Sequence, residues 1–177
     1  MEKKPHLYTE QEAYQKLSAL CAMSEQCCHD MMTKMKRWEM ADEVAERVVA
    51  RLVKERFIDE KRYAKAFVRD KFRYNHWGGV RIEQELKRRK IAQRHIDEAL
   101  EEIDEKDNLD ALREMIEKKR PSVKGKNEYE IRGKLIRFAL GRGFAMDAQF
   151  LLESQRVCKI SNLLEFIEAD NNSYPFL

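Results

Sequence analysis

The stretch FIDEKRYAKAF, residues 57–67, sets Asp59 and Glu60 against Lys61 and Arg62, with Tyr63 beside them. Acid, base and phenol are the residue types that general acid–base chemistry uses. That chemistry also needs the groups to converge in one pocket, and consecutive helical residues fan out around the helix instead. The structural reading is simpler. Asp59 caps a new helix and Glu60 sits favourably at its positive end. Phe57 and Ile58 close a preceding core, while Tyr63, Ala64 and Phe67 form the buried stripe of the new helix. Arg62, Lys65 and Arg69 then share one exposed face. Cys27, Cys28 and His29 are the one metal-like cluster, but three consecutive helical residues cannot chelate one ion together. The four cysteines, Cys21, Cys27, Cys28 and Cys158, include no CxxC pair and are expected to be reduced. There is no GxxxxGK[ST], HExxH, GxSxG or GxGxxG. The histidines, His6, His29, His76 and His95, are scattered. The expectation is a helical binding or regulatory module and not an enzyme, with no metal and no cofactor.

The elements that position these residues follow from composition and periodicity. The chain has 177 residues with 6 Gly, 3 Pro and 38% charged residues. Such a chain is mostly helix with narrow apolar stripes, and no period-2 segment argues for a strand. Thr9 and Glu12 form a capping box opening a helix with Ala13, Leu17 and Leu20 on one face. Ser24 can cap a second helix carrying Met31, Met32 and Met35. A third runs from Asp42-Glu43 to Phe57 through Val44, Val48, Val49 and Leu52. The same order recurs: a long helix from Glu60 to Tyr74, a break at NHWGG (75–79), a helix with Ile82 and Leu86, and one over 92–103 carrying Ile96, Leu100 and Ile103. A third round starts near Asp107 with Leu109, Leu112, Met115 and Ile116. It continues through a Pro/Gly/Lys loop (119–127) to a helix over 129–140 and a last helix with Ala148, Leu151 and Leu152.

Three hexapeptides mark equivalent helix ends: MKRWEM (35–40), LKRRKI (86–91) and ALGRGF (139–144). Trp38, Arg89 and Arg142 share one position, and Gly143 suits a helix C-terminus, where it can take positive φ. Spacings of this size mean a three-helix unit repeated three times, over 9–58, 59–104 and 105–156, with a tail at 157–177. Units of this kind bury too little surface alone and stack on their neighbours, giving an all-α array. The N-terminus carries no apolar signal region, and no window is long and apolar enough to span a bilayer, so a cytoplasmic protein with no membrane partner is expected.

Net charge is +3, but it is unevenly spread. Lys61 to Arg94 holds twelve Lys/Arg against three Asp/Glu; Asp97 to Glu117 holds ten acids against two bases; Lys118 to Arg142 holds nine bases against two acids. Alternating blocks suit a polyanion on some faces and a basic partner on others, or simply solvated helices. Four bases in a row, Lys87, Arg88, Arg89 and Lys90, exceed what the helix dipole needs. Phe72, Tyr74 and Trp77 among bases resemble a nucleic-acid site, against a reading with Phe72 and Tyr74 in the core and Trp77 packing the turn.

FIDEKRYAKAFV (57–68), GGVRIEQELKRRKI (78–91) and IRFALGRGF (136–144) resemble, in order and spacing, the signatures of the RecX family of bacterial recombinase regulators. The likeness covers about residues 9–155. Many family members have Gly where this chain has Glu39 and Lys90, and Leu where it has Ala139; these departures fall on helix ends. The resemblance implies an elongated, curved array of three-helix repeats, binding of a monomer along a RecA–single-stranded-DNA filament, and modulation, usually inhibition, of RecA ATPase, strand exchange and SOS co-protease activity. It implies no cofactor. The residues expected to meet that filament are Arg62, Lys65, Arg69, Arg73, Arg81, Lys87, Arg88, Arg89, Lys90, Arg137 and Arg142. Two alternatives stand beside it: a DNA-binding helical module acting without RecA, and a pure protein scaffold.

Overall fold

The computed structural model describes residues 8–145. Among them it contains eight α-helices, one short 3-10 turn and no strand. The expected helix with Ala148, Leu151 and Leu152, and the tail at 157–177, lie outside the described residues. The chain divides into two compact units: of the described residues, the first holds 8–70 and 83–102, the second 71–82 and 103–145.

In the first unit, α1 (Glu10–Met23) opens on the expected capping box. Glu12 N–H donates to Thr9 Oγ1 at 3.3 Å, and Thr9 N–H donates to Glu12 Oε2 at 2.8 Å. α2 (Cys28–Arg37) begins later than a Ser24 cap would place it. Ser24 instead ends α1, its N–H donating to Leu20 O at 3.2 Å. Cys27 stands at the N-cap of α2 without a side-chain cap bond. Its thiol is fully buried with Met31 and Met35, so burial rather than capping sets where α2 starts. α3 (Asp42–Lys54) places Ala45, Val48, Val49 and Leu52 against Ala13, Leu17, Met31, Met35 and Ile58. Truncating Leu52, which is fully buried there, would cost ~2–5 kcal/mol.

α4 (Glu60–Asn75) starts where Asp59 Oδ1 accepts the Arg62 N–H at 2.9 Å. That bond holds the Asp59 carboxyl below its ordinary range. The acid–base cluster of residues 59–63 is therefore a helix start. α5 (Gly79–Arg88) and α6 (Gln93–Leu100) follow. Both α4 and α5 contribute residues to the two units. In the second unit, α7 (Glu105–Lys119) starts slightly before Asp107 because Asp104 takes the N-cap, accepting from Lys106 N–H at 2.7 Å. α8 (Glu128–Gly141) is capped by Asn127, which accepts from Glu130 N–H at 2.8 Å. Leu112, Met115, Ile116, Leu135, Ile136, Ala139 and Phe144 form the core of this unit.

The three hexapeptides are one structure repeated. In each, the sixth N–H donates to the first carbonyl: Met40 to Met35 at 3.2 Å, Ile91 to Leu86 at 3.1 Å and Phe144 to Ala139 at 3.2 Å. The fifth N–H donates to the second carbonyl: Glu39 to Lys36, Lys90 to Lys87 and Gly143 to Leu140, at 3.0, 2.8 and 2.8 Å. This double closure is the Schellman motif, and it puts its fifth residue in the left-handed region. Gly143 takes φ +87°, and the two departures, Glu39 and Lys90, take 57° and 59° without being glycine. A fourth copy ends α3: Phe57 N–H donates to Leu52 O at 2.9 Å, with Arg56 at φ 61°.

Candidate functional site

The expected contact residues sort by what holds them. In the first unit the cations meet carboxylates. Arg62 Nε lies 2.5 Å from Glu25, and another of its nitrogens reaches the carbonyls of Arg56 and Phe57. Lys65 meets Glu102 at 2.5 Å, with Arg69 at 3.9 Å from the same carboxylate; Lys61 meets Glu98 at 2.6 Å. Glu25 and Glu98 raise the pKa of Arg62 and Lys61, so the pairing holds both in the charged form. Lys87 and Arg88 pair within α5 to Glu83 at 2.7 Å and Glu85 at 3.0 Å.

Arg89 points inward. It is 27% exposed, 2.8 Å from Glu85 and 3.5 Å from Asp30, with its guanidinium 5.0 Å from the Phe67 ring centre. Burial works against its charge, but Glu85, Tyr63 and Asp30 outweigh it and its pKa is raised. Tyr63 donates to the same Asp30 at 3.5 Å, and burial above all pushes its phenol pKa up. Arg89 thus ties α5 to α2 and α4. Of the run 87–90, Lys90 alone is exposed without a partner among the described residues.

In the second unit Arg113, Arg120 and Lys134 also meet carboxylates, but the cations around two of its turns are held differently. The NHWGG turn and the GRGF turn meet backbone to backbone. Gly78 N–H donates to Arg142 O at 2.9 Å, and Val80 N–H to Gly143 O at 3.1 Å. A Cβ on Gly78 would fall 2.2 Å from Gly143 O, and one on Gly143 would fall 2.3 Å from the Arg81 Cβ. Across this clasp Arg81 donates to Gly141 O and Arg142 to Asn75 O, both at 3.3 Å. The Arg81 guanidinium lies 4.1 Å from the Trp77 ring centre, with Lys71 at 5.4 Å from the same ring. Arg142 and Lys119 lie 5.4 and 5.3 Å from the Phe138 ring centre. Beside that ring a pocket of 220 Å³ is lined by His76, Glu114, Met115, Lys118, Lys119 and Phe138. Its one carboxylate, Glu114, is answered by Lys118 at 2.5 Å, which lowers the Glu114 pKa. Arg73 and Arg137 are exposed in the same unit.

Three aromatics left open by the sequence resolve here. Trp77 packs the turn, as the structural reading has it, but Phe72 is half-buried rather than core. Tyr74 is not core: it is 78% exposed. Its place in the last turn of a helix interrupted at His76 (φ 51°) takes it off the buried stripe. Lys119, Phe138 and His76 join the site without having been singled out by the sequence. Lys118-Lys119 is legible there only as charge, and nothing local shows that Lys119 sits on a ring nineteen residues later. No group of three or more His, Cys, Asp or Glu able to hold a metal occurs among the described residues. Burial above all pushes the Cys27 and Cys28 thiols up to about 11 and about 12, which keeps both neutral.

The fold and surface define a class: an all-α protein of tandem three-helix domains that present charged helix faces. Two family models match, the second three-helix domain of RecX over residues 59–100 and the third over 105–148. The regulatory protein RecX of Vibrio campbellii is 31% identical over 147 residues, which cover 76% of this chain and 92% of that protein. The RecX of Clostridium beijerinckii is 30% identical over 117 residues, 65% of this chain and 54% of that protein. A crystal structure of RecX from Lactobacillus salivarius superposes with a TM-score of 0.68 at 18% identity, covering 85% of this chain and 97% of that one. A further RecX crystal structure gives a TM-score of 0.71 at 19% identity, over 85% and 71%. The chain belongs to the RecX family of regulatory proteins. It spans a little over half the length of some of its relatives, including those of Clostridium beijerinckii and Bacillus cytotoxicus. No described helix is long and apolar enough to cross a membrane.

Proposed function

We propose that this chain binds a RecA–single-stranded-DNA filament and restrains it, slowing ATP hydrolysis, strand exchange and co-protease activity, and so regulates DNA repair and the SOS response. The observation that carries the reading is the second unit's basic surface on a RecX scaffold. Of the described residues, that unit holds fourteen Lys/Arg against eight Asp/Glu. A recombinase filament offers both phosphate and acidic protein surface, which suits a chain whose charge comes in blocks of alternating sign. The three-helix repeats at 9–58, 59–104 and 105–156 would lie along it as a monomer in the cytoplasm. Arg62, Lys65, Arg69, Arg73, Arg81, Lys87, Arg88, Lys90, Arg137 and Arg142 are the contact candidates, with Arg89 contributing by tying helices together. Contact with adjacent subunits would hinder the movements that ATP turnover requires.

The test is RecA-catalysed, DNA-dependent ATP hydrolysis with and without this protein. Inhibition that weakens as salt rises is expected. Unchanged hydrolysis at equimolar protein in low salt would remove the reading.

A further inference from the structure

A cation seated on a carboxylate is neutralised before any ligand arrives. A cation seated on an aromatic ring or a backbone carbonyl keeps its full charge while losing side-chain freedom. By this criterion the long basic run at 87–90 is a poor anion site, because Lys87, Arg88 and Arg89 each have a carboxylate within 3.0 Å. Arg81, Arg142 and Lys119 are held the other way. Arg81 sits on Trp77 and the Gly141 carbonyl, Arg142 on Phe138 and the Asn75 carbonyl, and Lys119 on Phe138. None of the three pairs with a carboxylate among the described residues. Successive contacts link them into one ridge: Trp77 to Arg81, Arg81 to the α8 end at Gly141, then Arg142, Phe138 and Lys119. Tyr74, 78% exposed, immediately precedes the Asn75 carbonyl that Arg142 grips.

We infer that this ridge is a direct single-stranded nucleic-acid site, with Arg81, Arg142 and Lys119 on successive phosphates and Tyr74 as the ring on which a base stacks. Phosphate needs donors that are fixed but not neutralised, and guanidinium is suited to it. An exposed ring one residue from a carbonyl that holds the track gives sequence-tolerant stacking. The glycine clasp is what makes the track: Gly78 against Gly143 brings two turns sixty-five residues apart close enough for each arginine to cross to the other's carbonyl. The inference supplies the strand contact of the proposed function but does not need RecA. It assigns that contact to the second unit and withdraws it from the run at 87–90.

The experiment is fluorescence anisotropy of a dye-labelled oligothymidylate with the full chain and no RecA, titrated against salt. Each phosphate contact contributes a slope of about −0.7 in log K against log salt, so Arg81→Gln/Lys119→Gln/Arg142→Gln should flatten it by about 2. Between roughly 50 and 200 mM salt the wild type then loses about 20-fold more affinity than the variant. Tyr74→Ala should weaken binding about tenfold at every salt concentration and leave the slope alone. Lys119→Gln and Tyr74→Ala alter no hydrogen bond of the described fold, so they keep the test valid if the arginine variants fail to fold. Lys36→Gln/Lys54→Gln, exposed in the first unit and outside the contact candidates, should leave the slope unchanged.

Absence of oligonucleotide binding in low salt, or a slope that falls on neutralising Lys87 and Arg88 but not the ridge, would overturn the inference. RecA ATPase on the same variants separates the two readings. Inhibition without oligonucleotide binding sinks the inference and keeps the proposed function. Oligonucleotide binding without inhibition does the reverse. Ridge variants that lose inhibition but keep the full salt slope would make the ridge a protein-docking surface and also overturn the inference.

Discussion

The first unit and the clasp of the second use the same residue types to opposite effect. Over the described residues the first holds seventeen Lys/Arg against eighteen Asp/Glu, and the second fourteen against eight. In the first unit, cations meet carboxylates from other helices: Glu10 with Arg47, Glu25 with Arg62, Asp30 with Arg89 and Glu98 with Lys61. In the second, Arg120 still meets Glu128, but around the clasp rings and carbonyls take that place; in the first, Lys16 on the Tyr8 and Trp38 rings is the nearest counterpart. The lesson is that a count of bases does not locate an anion site. What matters is whether each base is already answered by an acid.

The largest break in the contrast should come from the clasp. Gly143 has φ +87°, and an added Cβ would fall 2.5 Å from the Arg81 backbone nitrogen. Gly78 faces Gly143 O at 2.2 Å in the same sense. Neither neighbour is a flexible side-chain tip, so backbone must move. Gly143→Ala or Gly78→Ala is expected to cost the second unit ~2–4 kcal/mol. The two tryptophans make this readable, since Trp38 lies in the first unit and Trp77 in the second. Urea melts followed by Trp77 fluorescence in a Trp38→Phe background should shift, while Trp38 in a Trp77→Phe background should hold its midpoint. Equal shifts of both would show that the clasp is not local to the second unit.

The next effect tests the first unit's ion pairs. Arg89→Met removes the cation between Glu85 and Asp30 while keeping most of its apolar contact with Phe67. Two partly buried carboxylates are left without that cation, at an expected cost of ~1–2 kcal/mol to the Trp38-reported melt. A gain in stability would mean that desolvation of the arginine outweighs its pairing.

How much of this is legible in the sequence depends on range. Helix starts governed by the next few residues are readable, as at Thr9 and Asp59, and so are helix ends governed by six consecutive residues. The second helix does not start at Ser24 because a good capping residue loses to burial of Cys27, a tertiary effect. The fourth helix end, LVKERF (52–57), fits the apolar first-and-sixth pattern but falls outside the spacing that relates the other three. The site is least legible. Arg62 and Glu25, Lys65 and Glu102, and Arg47 and Glu10 are each thirty-seven residues apart. No local pattern tells a cation with such a partner from one without.

Acid should separate the units by a smaller margin. In the first unit Glu10, Glu55, Asp59, Glu83 and Glu98 all have lowered pKa values. The leading causes are hydrogen bonds from Arg47, Tyr14, the Arg62 N–H, Lys87 and Lys61 respectively. Among the described residues of the second unit the groups so lowered are Glu114, by Lys118, and Glu130, by the Lys126 N–H. A carboxyl with a folded pKa below its unfolded value adds stability above the unfolded value, and that stability is lost as pH falls through the folded one. Below about pH 4.5 the first unit therefore has more to lose. The Trp38-reported acid transition should fall at higher pH than the Trp77-reported one; the reverse order would deny the first unit's pairs their assigned weight.

The smallest effect concerns what the units share. Glu39, Arg56 and Lys90 close Schellman motifs at φ 57°, 61° and 59°, each an L-residue held where its Cβ crowds the backbone, while Gly143 closes the equivalent motif at no such cost. Replacing Glu39 or Lys90 with Gly relieves that crowding but frees the unfolded chain, so the net gain is expected to be only ~0.5–1 kcal/mol each. Both residues lie in the first unit and neither bonds through its side chain among the described residues. The gain should therefore appear in the Trp38 melt, add across the double variant, and leave the slope of unfolding with urea unchanged. Lys90→Gly also removes the one cation of the run at 87–90 that has no carboxylate. If oligothymidylate binding keeps its salt slope while the first unit gains stability, Lys90 is a helix end that happens to be charged. If the slope falls instead, the contrast between the units loses its sharpest edge, because an unanswered cation would then recruit phosphate without a ring to hold it.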